Sequence, residues 1–360
     1  MTPDPIRVLI AEDSPTVRRY LVDMINTAGT MRVVGEARDG DEALVLTEEL
    51  KPDVISMDIR MPVLDGLEAT RRIMSRRPTP VVIVSNLLER EVDLSFQALQ
   101  AGALAVVEKP PHRQDPTFAA KQRHLLTTLQ VMSQVRVIRR WEKEPGQNAL
   151  NEPSTALQEL PRVTLGGGRL KITPEIVVIG ASAGGPGALS VLLHGLPAYF
   201  PVPIVIAQHI PDEFTAGLAR WLEKSTVLPV RVAADNVVLE PGVVHLAPGA
   251  AHLLVERRGG QLLGRLRAER GAYRYQPSVD VLFESVAAAC GTTAVGLILT
   301  GMGDDGAAGL LAMRQAGAQT FAQDETSSTV FGMPGAAIAH GAVEQVLALS
   351  NLATTLSNLI

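Results

Sequence analysis

Ser182, His209 and the acid pair Asp304–Asp305 are the residues of this 360-residue sequence best suited to nucleophilic chemistry. Ser182 follows the apolar run Ile176, Val177, Val178, Ile179 and sits among small residues, Gly180, Ala181, Ala183, Gly184 and Gly185. His209 stands just past a second run, Ile204 to Ala207, and the two acids stand in a glycine turn after a third, Val295 to Leu299. A hydroxyl is a weak nucleophile until a base takes its proton. Imidazole can be that base, and a carboxylate can hold its tautomer and stabilise the imidazolium. N–H groups of the glycine turns suit an oxyanion. Spacing alone divides the carboxylate role between Asp304 and Asp305. Gly180, Ser182 and Gly184 also fit G-x-S-x-G, in which a strained turn exposes a serine oxygen beside a helix N-terminus. The chain order Ser, His, Asp differs from that of the α/β-hydrolases and disfavours their fold.

A second constellation lies in the first 110 residues. Glu12 and Asp13 end one apolar run, Asp58 ends another, and Ser85 and Lys109 end two more. Three converging carboxylates repel one another unless a cation lies between them. An oxygen-only donor set favours Mg²⁺. A carboxylate placed there, with a lysine and a hydroxyl nearby, can accept a phosphoryl group.

These residues need a scaffold that gathers strand ends. Apolar runs predict strands at 6–10, 32–36, 54–57, 81–84 and 104–107, with helices at 14–27, 40–50, 64–75, 90–101 and from about 115. Alternation of this kind implies a five-stranded parallel sheet wound on both faces. A second α/β series predicts strands at 176–180, 203–207, 229–232, 243–247, 294–299, 319–322 and 343–347, plus a hairpin through Gly259–Gly260. Its helices fall near 187–194, 213–223, 278–289, 306–316 and 349–358. This unit is doubly wound and mostly parallel. Between the two, helical spacing continues to Ile138 and ends in Arg136, Arg139 and Arg140. A stretch rich in Pro, Asn, Ser and Gly then reads as a linker. The expected division is 5–125, 126–172 and 173–358.

Composition narrows the function. With 46% hydrophobic and 20% charged residues the chain is an ordinary globular one, and a net charge of -5 argues against a nucleic-acid binder. The single Cys290 excludes an intramolecular disulfide and a cysteine metal cluster, and its apolar helical setting reads as a buried thiol. No secretory signal and no apolar run of membrane-spanning length is present, so no membrane insertion and a cytoplasmic location are expected.

Glu12–Asp13, Asp58 with Met61–Pro62 and Asp65–Gly66, Ser85 and Lys109–Pro110 together resemble a response-regulator receiver domain with a flavodoxin-like fold. The resemblance implies that a histidine kinase phosphorylates Asp58 with Mg²⁺ bound, that Ser85 and Lys109 form the switch, and that Pro110 follows a cis bond. One departure is Val106, where such domains usually carry an aromatic. The second half resembles the catalytic domain of the chemotaxis protein-glutamate methylesterases, the CheB family. The resemblance rests on Gly180-x-Ser182-x-Gly184–Gly185, Gln208–His209-x-Pro211, Pro277–Ser278–Val279–Asp280, Thr300–Gly301–Met302–Gly303-x-Asp305–Gly306 and Phe331–Gly332–Met333–Pro334. It implies Ser182 as nucleophile, His209 as base, Asp305 as the orienting carboxylate and the Met302 amide as oxyanion donor. The esterase chemistry needs no cofactor. The implied substrates are γ-glutamyl methyl esters of methyl-accepting chemoreceptors, and some members also deamidate receptor glutamines. Gln276 and Gly335 stand where the family often has a basic residue.

Bland roles are expected for the remaining conspicuous residues. His194, His245, His252 and His340 read as surface or capping residues, Asp304 as a solvated turn residue and Asp280 as a cap at a helix start. Two rival readings differ in class. One is a nucleotide-binding output domain with Gly180–Gly185 as a phosphate loop, which lacks an acid for a ribose. The other is a non-enzymatic receiver-adaptor, which needs neither Ser182 nor His209.

Overall fold

The computed structural model describes residues 4–85, 89–135, 137, 173–268 and 275–360. In the first unit the predicted alternation holds: β1 (Ile6–Ala11), α1 (Pro15–Thr27), β2 (Met31–Ala37), α2 (Gly40–Leu50), β3 (Val54–Met57), α3 (Gly66–Arg76), β4 (Val81–Ser85), α4 (Glu89–Ala101), β5 (Ala105–Glu108) and α5 (Phe118–Met132). The strands form one parallel sheet in the order β2-β1-β3-β4-β5. Strand order reverses between β1 and β3, so their carboxyl ends open a crevice. Helix starts are local in origin. Ser14, Asp39 and Asp65 each accept a hydrogen bond from a first-turn N–H of α1, α2 and α3, contributing about 1 kcal/mol apiece. Gly66 is required by a close approach, since a Cβ there would lie 1.9 Å from the Asp58 carbonyl oxygen.

Two expectations for this unit need correction. Helix α5 carries Leu125, Leu129 and Met132 into the core formed with β1 and β4. The unit's packing therefore extends to Met132 and does not stop at 125, because one apolar helical face continues across that boundary. Among the described residues the cis X-Pro bond is Gln276–Pro277, and Lys109–Pro110 is not cis. The cluster Arg136, Arg139 and Arg140 and the linker lie outside the described residues.

The second unit comprises β6 (Ile176–Ala181), α6 (Gly185–His194), β7 (Ile204–Gln208), α7 (Asp212–Ser225), β8 (Val230–Val232), β9 (Val237–Val238), β10 (Val244–Leu246), β11 (His252–Arg258), β12 (Gln261–Arg267), α8 (Val279–Cys290), β13 (Ala294–Ile298), α9 (Ala307–Gln315), β14 (Gln319–Gln323), α10 (Met333–Ala339), β15 (Gln345–Leu347) and α11 (Leu349–Leu359). Seven strands form a parallel sheet in the order β15-β14-β13-β6-β7-β10-β8. Helices cover both faces, so β6 is buried along its whole length and reads as a continuous apolar run. The hairpin β11–β12 gains β9 as a third, antiparallel strand. Neither β9 nor α10 is visible in the apolar pattern. The first has two residues and is held by its pairing with β12, and the second is a short helix that begins within the Phe331–Pro334 motif.

The histidines divide. His194 and His340 are exposed as expected, but His245 and His252 are each 1% exposed. His245 lies on β10 opposite Val205, on the sheet face that packs into the core with Leu239 and Leu253. Neither of its ring nitrogens has a partner among the described residues. Burial pushes its pKa down to about 4. A buried neutral histidine of this kind gives the unfolded chain the greater proton affinity. Stability should therefore fall as pH drops from about 6.5 towards 4, by up to about 3 kcal/mol, and level off below. Urea unfolding of wild type and His245→Leu across pH 7 to 4 checks this: the variant should lack that part of the slope.

The two units touch through α4. Phe96 is buried in the core of the second unit and stacks on Trp221 of α7, with ring centroids 5.5 Å apart. Ala183 and Val330 of the second unit pack against the first unit's α5-side core. The turn that holds Ser182 thus lies under the first unit.

Candidate active site

The order in which successive strands are added to the second, all-parallel sheet reverses between β6 and β13, and ligands of open α/β sheets bind at such a point. Ser182 leaves β6, His209 leaves β7, and the turn from Thr300 to Gly306 leaves β13, so three chain segments meet at one edge. Positive φ falls on Gly184 (+77°), the residue before α6, and not on Ser182. The turn therefore differs from the strained serine elbow expected of G-x-S-x-G. Gly184 carries the unusual backbone, and a Cβ there would meet Thr329 at 2.4 Å.

Of the two acids, Asp305 is the one turned inward. Its Oδ2 lies 2.7 Å from His209 Nε2, and Asp304 is exposed. The Val279 N–H donates to Oδ2 at 2.8 Å, while the Ser278 hydroxyl and the Asp280 N–H donate to Oδ1 at 2.9 and 3.2 Å. Burial raises the Asp305 pKa, but His209 and the Val279 and Asp280 N–H groups outweigh it and hold the carboxyl below its usual range. Asp280 does cap, but across helices: its Oδ1 accepts from the Gly309 N–H of α9 at 2.7 Å. Burial, with Asp305 beside it, pushes its carboxyl up to about 6.

With Nε2 on Asp305, the free nitrogen of His209 is Nδ1, which is buried without a partner among the described residues. The chymotrypsin-type triad uses the two nitrogens the other way round. The ring stacks on Tyr275, centroids 4.5 Å apart and 11° from parallel. No hydrogen bond joins Ser182 Oγ to the ring. The Gln208 amide nitrogen ties the two loops together, donating to the Ser182 and His209 carbonyls at 2.9 and 3.0 Å. The carbonyl of Gly301 accepts from the N–H groups of Gly332 and Met333, which pins the adjacent Met302 turn. The Met302 N–H has no acceptor among the described residues. Ser182, His209, Tyr275 and Met302 line a cavity of about 410 Å³ whose other wall is Val106, Glu108, Lys121 and His124 of the first unit.

The acid cluster of the first unit also assembles. Ligand oxygens of Glu12, Asp13 and Asp58 lie within 4.8 Å of one another. Lys109 Nζ lies 2.8 Å from Glu12 and 2.9 Å from Asp58. Burial raises the carboxyls of both acids, and the two carboxylates hold the buried Lys109 ammonium charged. One ammonium among three carboxylates leaves two negative charges uncompensated, and the donors are all oxygen. The residues present therefore fit a hard divalent cation. Ser85 is buried at the end of β4, beside the strand that carries Lys109.

The family described as CheB methylesterase matches residues 177–356, and response regulator receiver domain matches residues 8–119. A "Protein-glutamate methylesterase/protein-glutamine glutaminase 4" of Myxococcus xanthus is 46% identical over 359 residues, covering 99% of this chain and 98% of that protein.

The chain belongs to the CheB methylesterase family.

A second family member, "Protein-glutamate methylesterase/protein-glutamine glutaminase 3" of Anaeromyxobacter dehalogenans, is 46% identical over 352 residues and covers 98% of each chain. Among solved structures, the CheB methylesterase catalytic domain of Thermotoga maritima is 35% identical with a TM-score of 0.51, covering 52% of this chain and 100% of that one. Within this CheB chain, sequence reasoning overlooked four residues: Ser278, Gln208, Tyr275 and Phe96. Ser278 and Gln208 stand inside motifs that drew attention for other members. Tyr275 and Phe96 carry no local signal, because an aromatic in a loop or on a helix reads the same whether it meets its own core or another's.

Proposed function

We propose that this chain is a phosphorylation-controlled serine esterase that removes methyl groups from γ-glutamyl methyl esters of chemoreceptors, releasing methanol. The observation that carries the reading is the His209 ring. Its Nε2 is held by a buried carboxylate, its Nδ1 has no partner among the described residues, and the residue lines the same cavity as Ser182. In this mechanism Nδ1 takes the Ser182 hydroxyl proton as Oγ attacks the ester carbonyl carbon. The Met302 N–H accommodates the oxyanion, and Asp305 stabilises the imidazolium. Collapse expels methoxide, which leaves as methanol with the proton from Nδ1. Water, deprotonated at the same nitrogen, then hydrolyses the glutamyl ester of Ser182. A glutamine side chain follows the same route with ammonia as the leaving group.

Regulation lies in the first unit. The Asp58 carboxylate accepts a phosphoryl group from a histidine kinase, with Lys109 and Ser85 placed for the phosphoryl oxygens. Glu12, Asp13 and Asp58 would hold Mg²⁺, which neutralises phosphoryl charge. Docked through Phe96, the receiver covers the Ser182 edge and bars a protein-sized substrate, and phosphorylation shifts the population towards open arrangements. The reading places the enzyme in the cytoplasm, where the methylated helices of chemoreceptors lie. No helix among the described residues is long and apolar enough to cross a membrane.

Methanol release from methyl-labelled receptor membranes tests this. Wild type should respond to a small phosphodonor with Mg²⁺, and Asp58→Asn should keep basal release but lose the response. A response that survives in Asp58→Asn would remove Asp58 from the reading.

A further inference from the structure

A triad carboxylate must do more than carry charge. It must present one oxygen to the imidazole and hold its plane still, or the ring rotates out of line with the nucleophile. Asp305 meets that demand at the start of α8. The Val279 and Asp280 N–H groups belong to the first turn of the helix, where donors have no intrahelical acceptor. A carboxylate is a suitable acceptor for them.

The backbone N–H groups do not account for all of the grip. The Ser278 hydroxyl donates to Asp305 Oδ1 at 2.9 Å, the oxygen that does not face His209. Ser278 is itself fixed. Its N–H donates to His252 Nδ1 at 3.1 Å, and its Oγ accepts from the Val281 N–H at 3.4 Å. Ser278 and His252 are 2% and 1% exposed, so no solvent competes for these bonds. A buried chain of polar contacts therefore runs from His252 through Ser278 and Asp305 to His209.

We propose that Ser278 is a positioning residue of the esterase, acting through Asp305 on His209. The inference rests on the triad reading above. The hydroxyl sets the rotation of the Asp305 carboxylate and draws negative charge towards Oδ1, so that Oδ2 meets the imidazole in line. Ser278 lies on the far side of Asp305 from the ring, so it affects turnover and not the binding of substrate.

The test uses the full chain activated by phosphodonor, with methanol release followed from pH 5 to 9. Ser278→Ala should lower kcat about thirtyfold with KM unchanged. The acid limb of the kcat profile should move to higher pH by about half a pH unit, because a carboxylate without that donor stabilises the imidazolium more strongly. Ser278→Thr, which keeps the hydroxyl, should recover most of the rate. A loss of helix cap alone would lower the folded fraction and leave the limb in place. If Ser278→Ala loses the native circular dichroism, Ser278→Cys, with similar volume and only a weak donor, carries the same expectation. Unchanged kcat per folded enzyme and an unmoved limb would overturn the proposal. A rise in KM alone, or a Thr variant as slow as Ala, would also count against it. Asp305→Asn separates the two layers. If it is inactive while Ser278→Ala matches wild type, only the positioning role fails. If Asp305→Asn is itself fully active, the triad reading fails first.

Discussion

Replacing Ser182 by Ala should lower methanol release from methylated receptors by about 10⁵-fold, equivalent to about 7 kcal/mol of transition-state stabilisation. The loss is large because without the Ser182 hydroxyl no acyl intermediate forms on that residue. What remains is the binding surface and the Met302 N–H, which stabilise an oxyanion formed by water. Ser182 is only half-buried and its hydroxyl has no partner among the described residues. The thermal midpoint should therefore stay near that of wild type. His209→Ala should fall as far, and the double variant no further, since nucleophile and base act as one unit. Single-turnover methanol release measures all three. A Ser182→Ala enzyme within tenfold of wild type would exclude an acyl-enzyme on this residue.

Replacing Phe96 by Ala should do the opposite, raising the activity of the unphosphorylated enzyme. Phe96 belongs to the receiver helix α4, yet 1% of it is exposed, because it is seated in the catalytic unit's core on Trp221. Truncating a buried phenylalanine costs about 3 kcal/mol or more, and here the cost falls on docking rather than on either fold. The docked-to-open ratio should drop about 100-fold. Basal release from receptors should then approach the phosphodonor-stimulated rate of wild type, and further stimulation should shrink. A small soluble methyl ester offers an internal control. The cavity of about 410 Å³ admits such a molecule in the docked arrangement, so its hydrolysis should change far less than that of receptors. Wild-type basal activity and wild-type stimulation in Phe96→Ala would show that α4 docking does not gate the site. The same contact bears on Val106. A valine cannot swing as an aromatic does. It packs between the receiver and catalytic cores, which leaves α4 and its Phe96 as the aromatic element that joins the switch region to the catalytic unit.

The sequence by itself determined the succession of elements and which polar residues stand past the strand ends. Strands of a parallel sheet are buried on both faces, so β1, β3, β4, β6, β7 and β13 stand out as apolar runs of strand length. Polar residues cannot lie inside such runs without cost, so Asp58, Lys109, Ser182, His209 and Asp305 fall just past their ends, where crevices form. Helix caps such as Asp39 and Asp65 are equally local. The tertiary structure alone decided which groups meet. Spacing left Asp304 and Asp305 equivalent, and the family motif favoured the second. It is the N-terminus of α8, brought across from another segment, that turns Asp305 inward and leaves Asp304 in water. The choice of Nε2 for Asp305, the grip of Ser278, the burial of His245 and the seating of Phe96 in a foreign core are likewise long-range. Each depends on strand order and on the packing of segments far apart in the chain, and periodicity within one segment carries no record of what packs against it.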